Sequence, residues 1–297
     1  MSGPADAGSG GLPGTGGATG SGGGVGGSSD ASISDGARAD ARADADAVDA
    51  ANRRDASLDA SADAGGDALA EYSPCPSNGS ACIVMPLGDS ITDGFPYENG
   101  GYRVELFHQA VQGSTPITFV GRNMNGPQTV DNQPFPRGHE GYSGFTIDTD
   151  ATHSGISPLV DAAIAMFHPH IVLLHIGTND INGNVDVANA PTRLGALVDR
   201  ITNDAPNALL VVAQIIPTTN DGTNMRVSAY NAAIAAQVER RAAAGKHVTL
   251  LDLYGVFTAN ASYKTALMSD NLHPNTTGYA TMGDAWYAAI RAVLPHR

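Results

Sequence analysis

The chain has 297 residues, 36 of them glycine and only two cysteine, and a formal net charge of −14. With Lys246 and Lys264 as the only lysines, it offers no basic patch for a phosphate backbone, which argues against nucleic acid as a partner. No run of 18 apolar residues occurs, so no segment is predicted to span a membrane as a helix.

Residues 1–30 hold 13 glycines, and residues 31–70 form an Ala/Asp/Ser/Arg tract. Such a composition cannot bury enough apolar surface to offset its ordering entropy, so residues 1–72 are expected to be a disordered linker. This stretch carries 12 acids and 4 bases, a balance that suits solubility and spacing. Residues 73–297, about 225 in number, suffice for one domain with a substantial core. Cys75 and Cys82 bracket Pro76-Ser77-Asn78-Gly79-Ser80-Ala81 at its start. An even pair around a turn-rich loop suits a small disulfide. The alternative is two unpaired thiols, with Cys82 buried in the strand that follows.

The first predicted strand, 83–87, runs into Gly88-Asp89-Ser90-Ile91. A serine hydroxyl is a poor nucleophile unless a base takes its proton and a third group orients that base. Ser90, presented at the end of a buried strand, suits the first role, although Gly, Asp and Ser are also plain turn residues. Further strands are predicted at 117–120, 171–175, 209–216 and 248–253. Between them lie stretches with apolar positions at helical spacing: Val104, Phe107 and Val111; Ile156, Leu159, Val160, Ile164 and Phe167; Leu194, Leu197, Val198 and Ile201; Val227, Tyr230, Ile234 and Val238. Ser157-Pro158 suits a cap and first turn. Alternating strands and helices predict a mainly parallel sheet of about five strands covered on both faces.

Gly138-His139-Glu140-Gly141-Tyr142-Ser143-Gly144 is expected to be a loop in which glycine lets a backbone N–H approach a substrate. The strand at 171–175 runs into Gly177-Thr178-Asn179-Asp180. The Asn179 amide can face a developing oxyanion. Its plain alternative is to close the turn, a task Asp180 is expected to perform in any case. Downstream, Asp270 and His273 stand three apart, and Pro274 biases His273 away from helix. Asn275 or Thr276 caps a last helix with Met282, Trp286, Ile290 and Val293 on one face.

Taken together, these blocks resemble the SGNH (GDSL-type) hydrolase superfamily. Met85-Pro86-Leu87-Gly88-Asp89-Ser90-Ile91-Thr92-Asp93-Gly94 is similar to its first block, His139 to Gly144 to its second, Gly177 to Asp180 to its third and Asp270 to His273 to its last. The resemblance covers roughly residues 82–294. It implies a flavodoxin-like three-layer α/β/α sandwich. It also implies Ser90 as nucleophile, His273 as general base and then acid, and Asp270 as its orienting partner. The oxyanion hole would be the Ser90 and Gly144 N–H groups and the Asn179 amide. Gly141 competes with Gly144, which is preferred because Ser143-Gly144 precedes Phe145 as in the family pattern.

The flanking residues, with Gly101-Tyr102-Arg103, resemble carbohydrate esterase family 3, which deacetylates xylan and related sugars. That resemblance implies an acetylated polysaccharide or oligosaccharide as substrate, no cofactor, no metal, and a monomer. The first residues show no signal-peptide pattern. The glycine-rich tail and cysteine pair are read as the spacer of an exported bacterial enzyme, secreted or at the cell surface, whose signal sequence is not present in this chain. No Gly-x-Ser-x-Gly elbow, phosphate-binding loop or His-Glu-x-x-His helix occurs, and the nine histidines show no ligand spacing. His175 is expected to make a strand-end hydrogen bond. The alternatives are a broad-specificity short-chain esterase or lipase, and a catalytically silent carbohydrate-binding domain.

Overall fold

The computed structural model describes residues 72–296, so the linker expected over residues 1–72 lies, but for Tyr72, outside the described residues. The chain runs β1 (Cys82–Gly88), α1 (Ser90–Asp93), α2 (Tyr102–Gln112), β2 (Ile117–Phe119) and β3 (Asn123–Met124). A small hairpin follows, β4 (Thr129–Val130) and β5 (Gln133–Pro134), and then β6 (Gly138–Gly141). Next come α3 (Val160–Phe167), β7 (Ile171–His175), α4 (Thr178–Asn182), α5 (Ala190–Asp204) and β8 (Leu209–Ala213). The last elements are α6 (Asp221–Ala243), β9 (Val248–Leu251), α7 (Leu253–Thr258), α8 (Tyr263–Ala266) and α9 (Thr276–Ile290).

Strands β2-β1-β7-β8-β9 are parallel neighbours, the flavodoxin-like order. All five predicted strands are present. The main sheet nonetheless has seven, because β6 extends the upper end of β1 and β3 pairs antiparallel with β6. The stretch 138–144, expected to be a loop, is therefore strand in its first half. Pro86 sits inside β1, where a missing N–H would normally break a ladder. Val84 O accepts from Val120 N and Gly88 O from Tyr142 N. Pro86 lies midway on that same edge, between the end of β2 and the start of β6, where no bond is lost.

Alternate strand residues feed two cores. On one face Val84, Ile171, Leu173 and Val211 meet Leu106, Phe107, Phe257, Met282 and Trp286. On the other, Met85, Leu87, Val172, Leu174 and Val212 meet Val160, Ile164, Leu194, Leu197, Val227 and Ile234. This makes three layers. Two local expectations shift. Ser157–Leu159 forms a 3-10 turn with no side-chain cap, and the Ser157 hydroxyl accepts instead from Arg200 at 3.2 Å. The buried face of α2 is Tyr102, Arg103, Leu106, Phe107 and Ala110, with Val104 and Val111 only half-buried. Cys75 and Cys82 are joined by a disulfide.

Candidate active site

Three of the four sequence blocks leave the carboxyl ends of adjacent strands, where ligands bind in open α/β sheets. Asp89 follows β1 and caps α1, its Oδ1 accepting from Ile91 N at 2.9 Å. Ser90 is then the first helical residue, so its own N–H has no acceptor within the helix. The Ser90 Oγ lies 2.9 Å from His273 Nε2. On the far side of the ring, His273 Nδ1 is 2.9 Å from Asp270 Oδ2 and 3.1 Å from Oδ1. Asp270 Oδ1 also accepts from the backbone N–H groups of Leu272 and His273, each at 2.7 Å. Burial pulls the Asp270 carboxyl up, but those N–H groups and the imidazole outweigh it, so its pKa falls below its ordinary value. Geometry thus gives a continuous hydroxyl–imidazole–carboxylate chain, able to move the serine proton onto a ring that the carboxylate steadies.

The two glycines of the second block have different surroundings. A Cβ on Gly141 would stand 2.5 Å from Asp93 N, so glycine there serves close packing of β6 on α1. Gly144 has φ +82° and open space where a Cβ would go. Phe145 N bonds to Tyr142 O at 3.1 Å. Residues Tyr142 to Phe145 therefore make a type II turn, which needs glycine at its third position. Among the described residues nothing accepts from the Gly144 N–H, and the residue is exposed.

Asn179 donates to Phe145 O at 2.8 Å, tying the third block to that turn. A side-chain amide has two hydrogens, so one remains for another acceptor. Asp180 does not close its own turn as expected. It is buried and accepts from Ile147 N at 3.1 Å and from Arg193 at 2.7 Å, linking two distant segments. His175 makes no strand-end hydrogen bond through its ring. Both nitrogens lack partners among the described residues, and burial lowers its pKa to about 4.

Several neighbours have no role in the sequence reading. The Phe95 ring tilts against the His273 imidazole, with centroids 4.6 Å apart. Its signal would have been a large, partly exposed aromatic just beyond the first block. Glu140 is fully buried and held by Arg122, at 2.6 Å to Nη2, and by the Tyr142 hydroxyl at 2.7 Å. A hollow of about 390 Å³, lined by Asp93, Glu98, Asn125, Ser143 and Phe145, opens beside Gly144. No group of three or more metal-binding side chains occurs among the described residues.

Residues 87–281 match the model of the GDSL-like Lipase/Acylhydrolase family. The chain belongs to that family. A multidomain esterase of Ruminococcus flavefaciens is 33% identical over 233 residues, covering 71% of this chain and 28% of its own length. The chain thus spans little more than a quarter of that curated relative's length. A family 3 carbohydrate esterase from Clostridium thermocellum superposes with a TM-score of 0.59 at 31% identity, over 72% of this chain and 98% of that one. Another family 3 carbohydrate esterase, from Talaromyces cellulolyticus, has a TM-score of 0.57 at 24% identity, over 71% and 96%, and shares the fold.

Proposed function

We propose that this GDSL-type esterase removes acetyl groups from a carbohydrate such as xylan or xylo-oligosaccharide. The observation that carries the reading is the Ser90–His273–Asp270 chain of bonds. Ser90 Oγ attacks the ester carbonyl while His273 Nε2 takes its proton. The charge that develops on the carbonyl oxygen is held by the Ser90 and Gly144 N–H groups and the second Asn179 hydrogen. His273 then returns the proton to the departing sugar oxygen, and water repeats the sequence on the acyl-enzyme.

The substrate half of the proposal rests on the surroundings. Glu98 supplies an acceptor for sugar hydroxyls, and Tyr142 and Phe145 supply aromatic faces. An apolar tunnel for a long acyl chain is a poor description of that lining. The likeness to a family 3 carbohydrate esterase supports the same substrate class. Under this reading the substrate is a neutral acetylated glycan and the enzyme acts outside the cell, a setting that the Cys75–Cys82 disulfide suits.

The test is acetate release from acetylated xylan by the wild type and by Ser90→Ala, with thermal unfolding measured on both. Activity should vanish in the variant while the melting temperature holds. Turnover retained near the wild-type rate would remove Ser90 from its role. If the wild type cleaves p-nitrophenyl butyrate well but acetylated xylan poorly, the broad-specificity alternative replaces the glycan reading.

A further inference from the structure

The Gly101-Tyr102-Arg103 segment takes no part in the chemistry above, yet Arg103 is fully buried. Burial lowers its pKa to about 10, which leaves it a cation at neutral pH. Among the described residues no carboxylate pairs with it directly. Its Nη1 donates to Arg137 O at 3.1 Å and to Asn125 O at 3.5 Å, and its Nη2 to the Asn125 side-chain oxygen. That last bond fixes which end of the Asn125 amide faces the guanidinium. The other end, Nδ2, then donates to Asp93 twice, at 2.8 Å to its backbone oxygen and 2.8 Å to Oδ1.

The second oxygen of Asp93 accepts from Ser143 Oγ at 2.8 Å. His139 Nε2 lies 3.8 Å from the carboxylate, but burial, with Arg103 nearby, lowers the His139 pKa to about 3, so it adds no charge. Ser143 is the second residue of the type II turn, and the peptide after it carries the Gly144 N–H. Asp93 is the last residue of α1, which begins with Ser90. One carboxylate thus bonds the nucleophile's helix to the turn bearing the oxyanion donor.

We propose that Asp93 is a positioning residue, held by the buried Arg103 through Asn125, that sets the orientation of the Ser143–Gly144 peptide relative to Ser90. This rests on the reading of the Gly144 N–H as an oxyanion donor. A carboxylate is acceptor-only, so it draws donors from both sides and fixes each. The ends of the turn are tied by Tyr142 N to Gly88 O and by Asn179 to Phe145 O, but those bonds leave the flipped peptide between them free to rock. The anchor at Ser143 removes that freedom before the substrate arrives, which is where preorganised donors gain their effect.

The experiment is steady-state hydrolysis of p-nitrophenyl acetate by Asp93→Ala, Ser143→Ala, the double variant and Asp93→Asn, with unfolding temperature recorded for each. Both alanine variants should lower kcat by roughly tenfold to a hundredfold, with KM within about twofold, because the donor matters only as charge develops. The double variant should be no worse than the worse single one, since both act through one bond. Asp93→Asn should keep most of the activity: its oxygen still accepts from Asn125, and its NH₂ donates to the Ser143 hydroxyl. The acid limb of the kcat/KM pH profile should not move, because His273 and Asp270 are untouched. Wild-type kcat in Ser143→Ala, multiplicative losses in the double variant, or an Asp93→Asn as damaged as Asp93→Ala would each overturn the proposal. If Ser90→Ala is inactive while Ser143→Ala is normal, only this inference falls. If Ser90→Ala is active, the catalytic reading falls first.

Discussion

Asp89 stands beside Ser90 but is buried away from solvent, and its charge makes the stability of the fold depend on pH. It is fully buried, and burial pushes its pKa up from 3.8 to about 7 against the lowering effect of the Ile91 N–H. The Thr178 hydroxyl is near enough to lower the pKa slightly, but its Oγ1 and Asp89 Oδ2 form no hydrogen bond. The Asp180 charge nearby raises the pKa further, although Arg193 holds Asp180. A carboxyl raised in the folded state binds its proton more tightly there than in the unfolded chain. Its contribution to stability is therefore complete below about pH 4 and is lost as the pH rises through about 7. Three units at 1.36 kcal/mol each give a loss on the order of 4 kcal/mol by pH 8.

Asp89→Asn keeps the acceptor for Ile91 and places an NH₂ where Oδ2 stood, facing the partnerless Thr178 hydroxyl. The variant should unfold about 10 °C above the wild type at pH 8. The gap should close by about pH 4. The lowered pKa of Asp270 gives an opposite slope, lost as the pH falls, but it is common to both proteins and cancels in the difference. Thermal unfolding of both proteins from pH 4 to 9 checks this. Parallel curves, or a variant less stable at every pH, would refute the account of Asp89 as a buried charge.

Asn179→Ala should lower kcat by roughly 10²–10³ with little change in KM. Losing its bond to Phe145 O should also cost about 1 kcal/mol of stability, so kinetics and unfolding on one preparation separate the two roles. Arg122→Ala leaves the fully buried Glu140 carboxylate without its cation and should destabilise the fold by about 3 kcal/mol, measured by urea unfolding. A loss under about 1 kcal/mol would mean that the Tyr142 hydroxyl and the Arg122 backbone N–H suffice for that carboxylate.

The sequence made the parallel sheet and the proton-relay residues legible for different reasons. β1, β7 and β8 are continuous apolar runs because both of their faces are covered, and a helix of opposite periodicity follows each. Ser90, Asp270 and His273 were marked by residue type together with the four blocks that resemble the superfamily, and the structure brings them within hydrogen-bond distance. β6 was not legible, because Gly138-His139-Glu140-Gly141 has no strand preference. It is extended because the end of β1 offers an edge and Arg122 neutralises Glu140 from another segment. The same holds for the Asp93 contacts. Asn125 and Ser143 reach one carboxylate from separate loops, and nothing in the spacing from Asp93 to either residue marks the meeting. Long-range polar pairing, unlike apolar periodicity, leaves no local trace. His175 shows the converse error, a polar residue at a strand end that was given a partner the interior does not supply.

The site divides its parts between two kinds of support. Ser90, Gly144 and Asn179 hang from the ends of β1, β6 and β7, three paired strands whose spacing the sheet ladder fixes. His273 instead comes from a loop before α9, where no ladder operates. That loop closes on itself: Ser269 N bonds to His273 O at 2.8 Å, Asn275 N to Leu267 O at 2.8 Å, and the Asn275 side chain caps α9 through Gly278 N. At its centre Asp270 takes two backbone N–H groups as well as the imidazole. The carboxylate bonded to His273 therefore also shapes the segment presenting it, whereas on the sheet side a separate residue, Asp93, bonds the helix that begins at Ser90 to the Tyr142–Phe145 turn. The i to i+3 spacing of Asp270 and His273 allows this economy, because it puts the imidazole and the His273 N–H within reach of one carboxylate. The strand ends need an added hub because Ser90, Gly144 and Asn179 arrive from segments far apart in sequence.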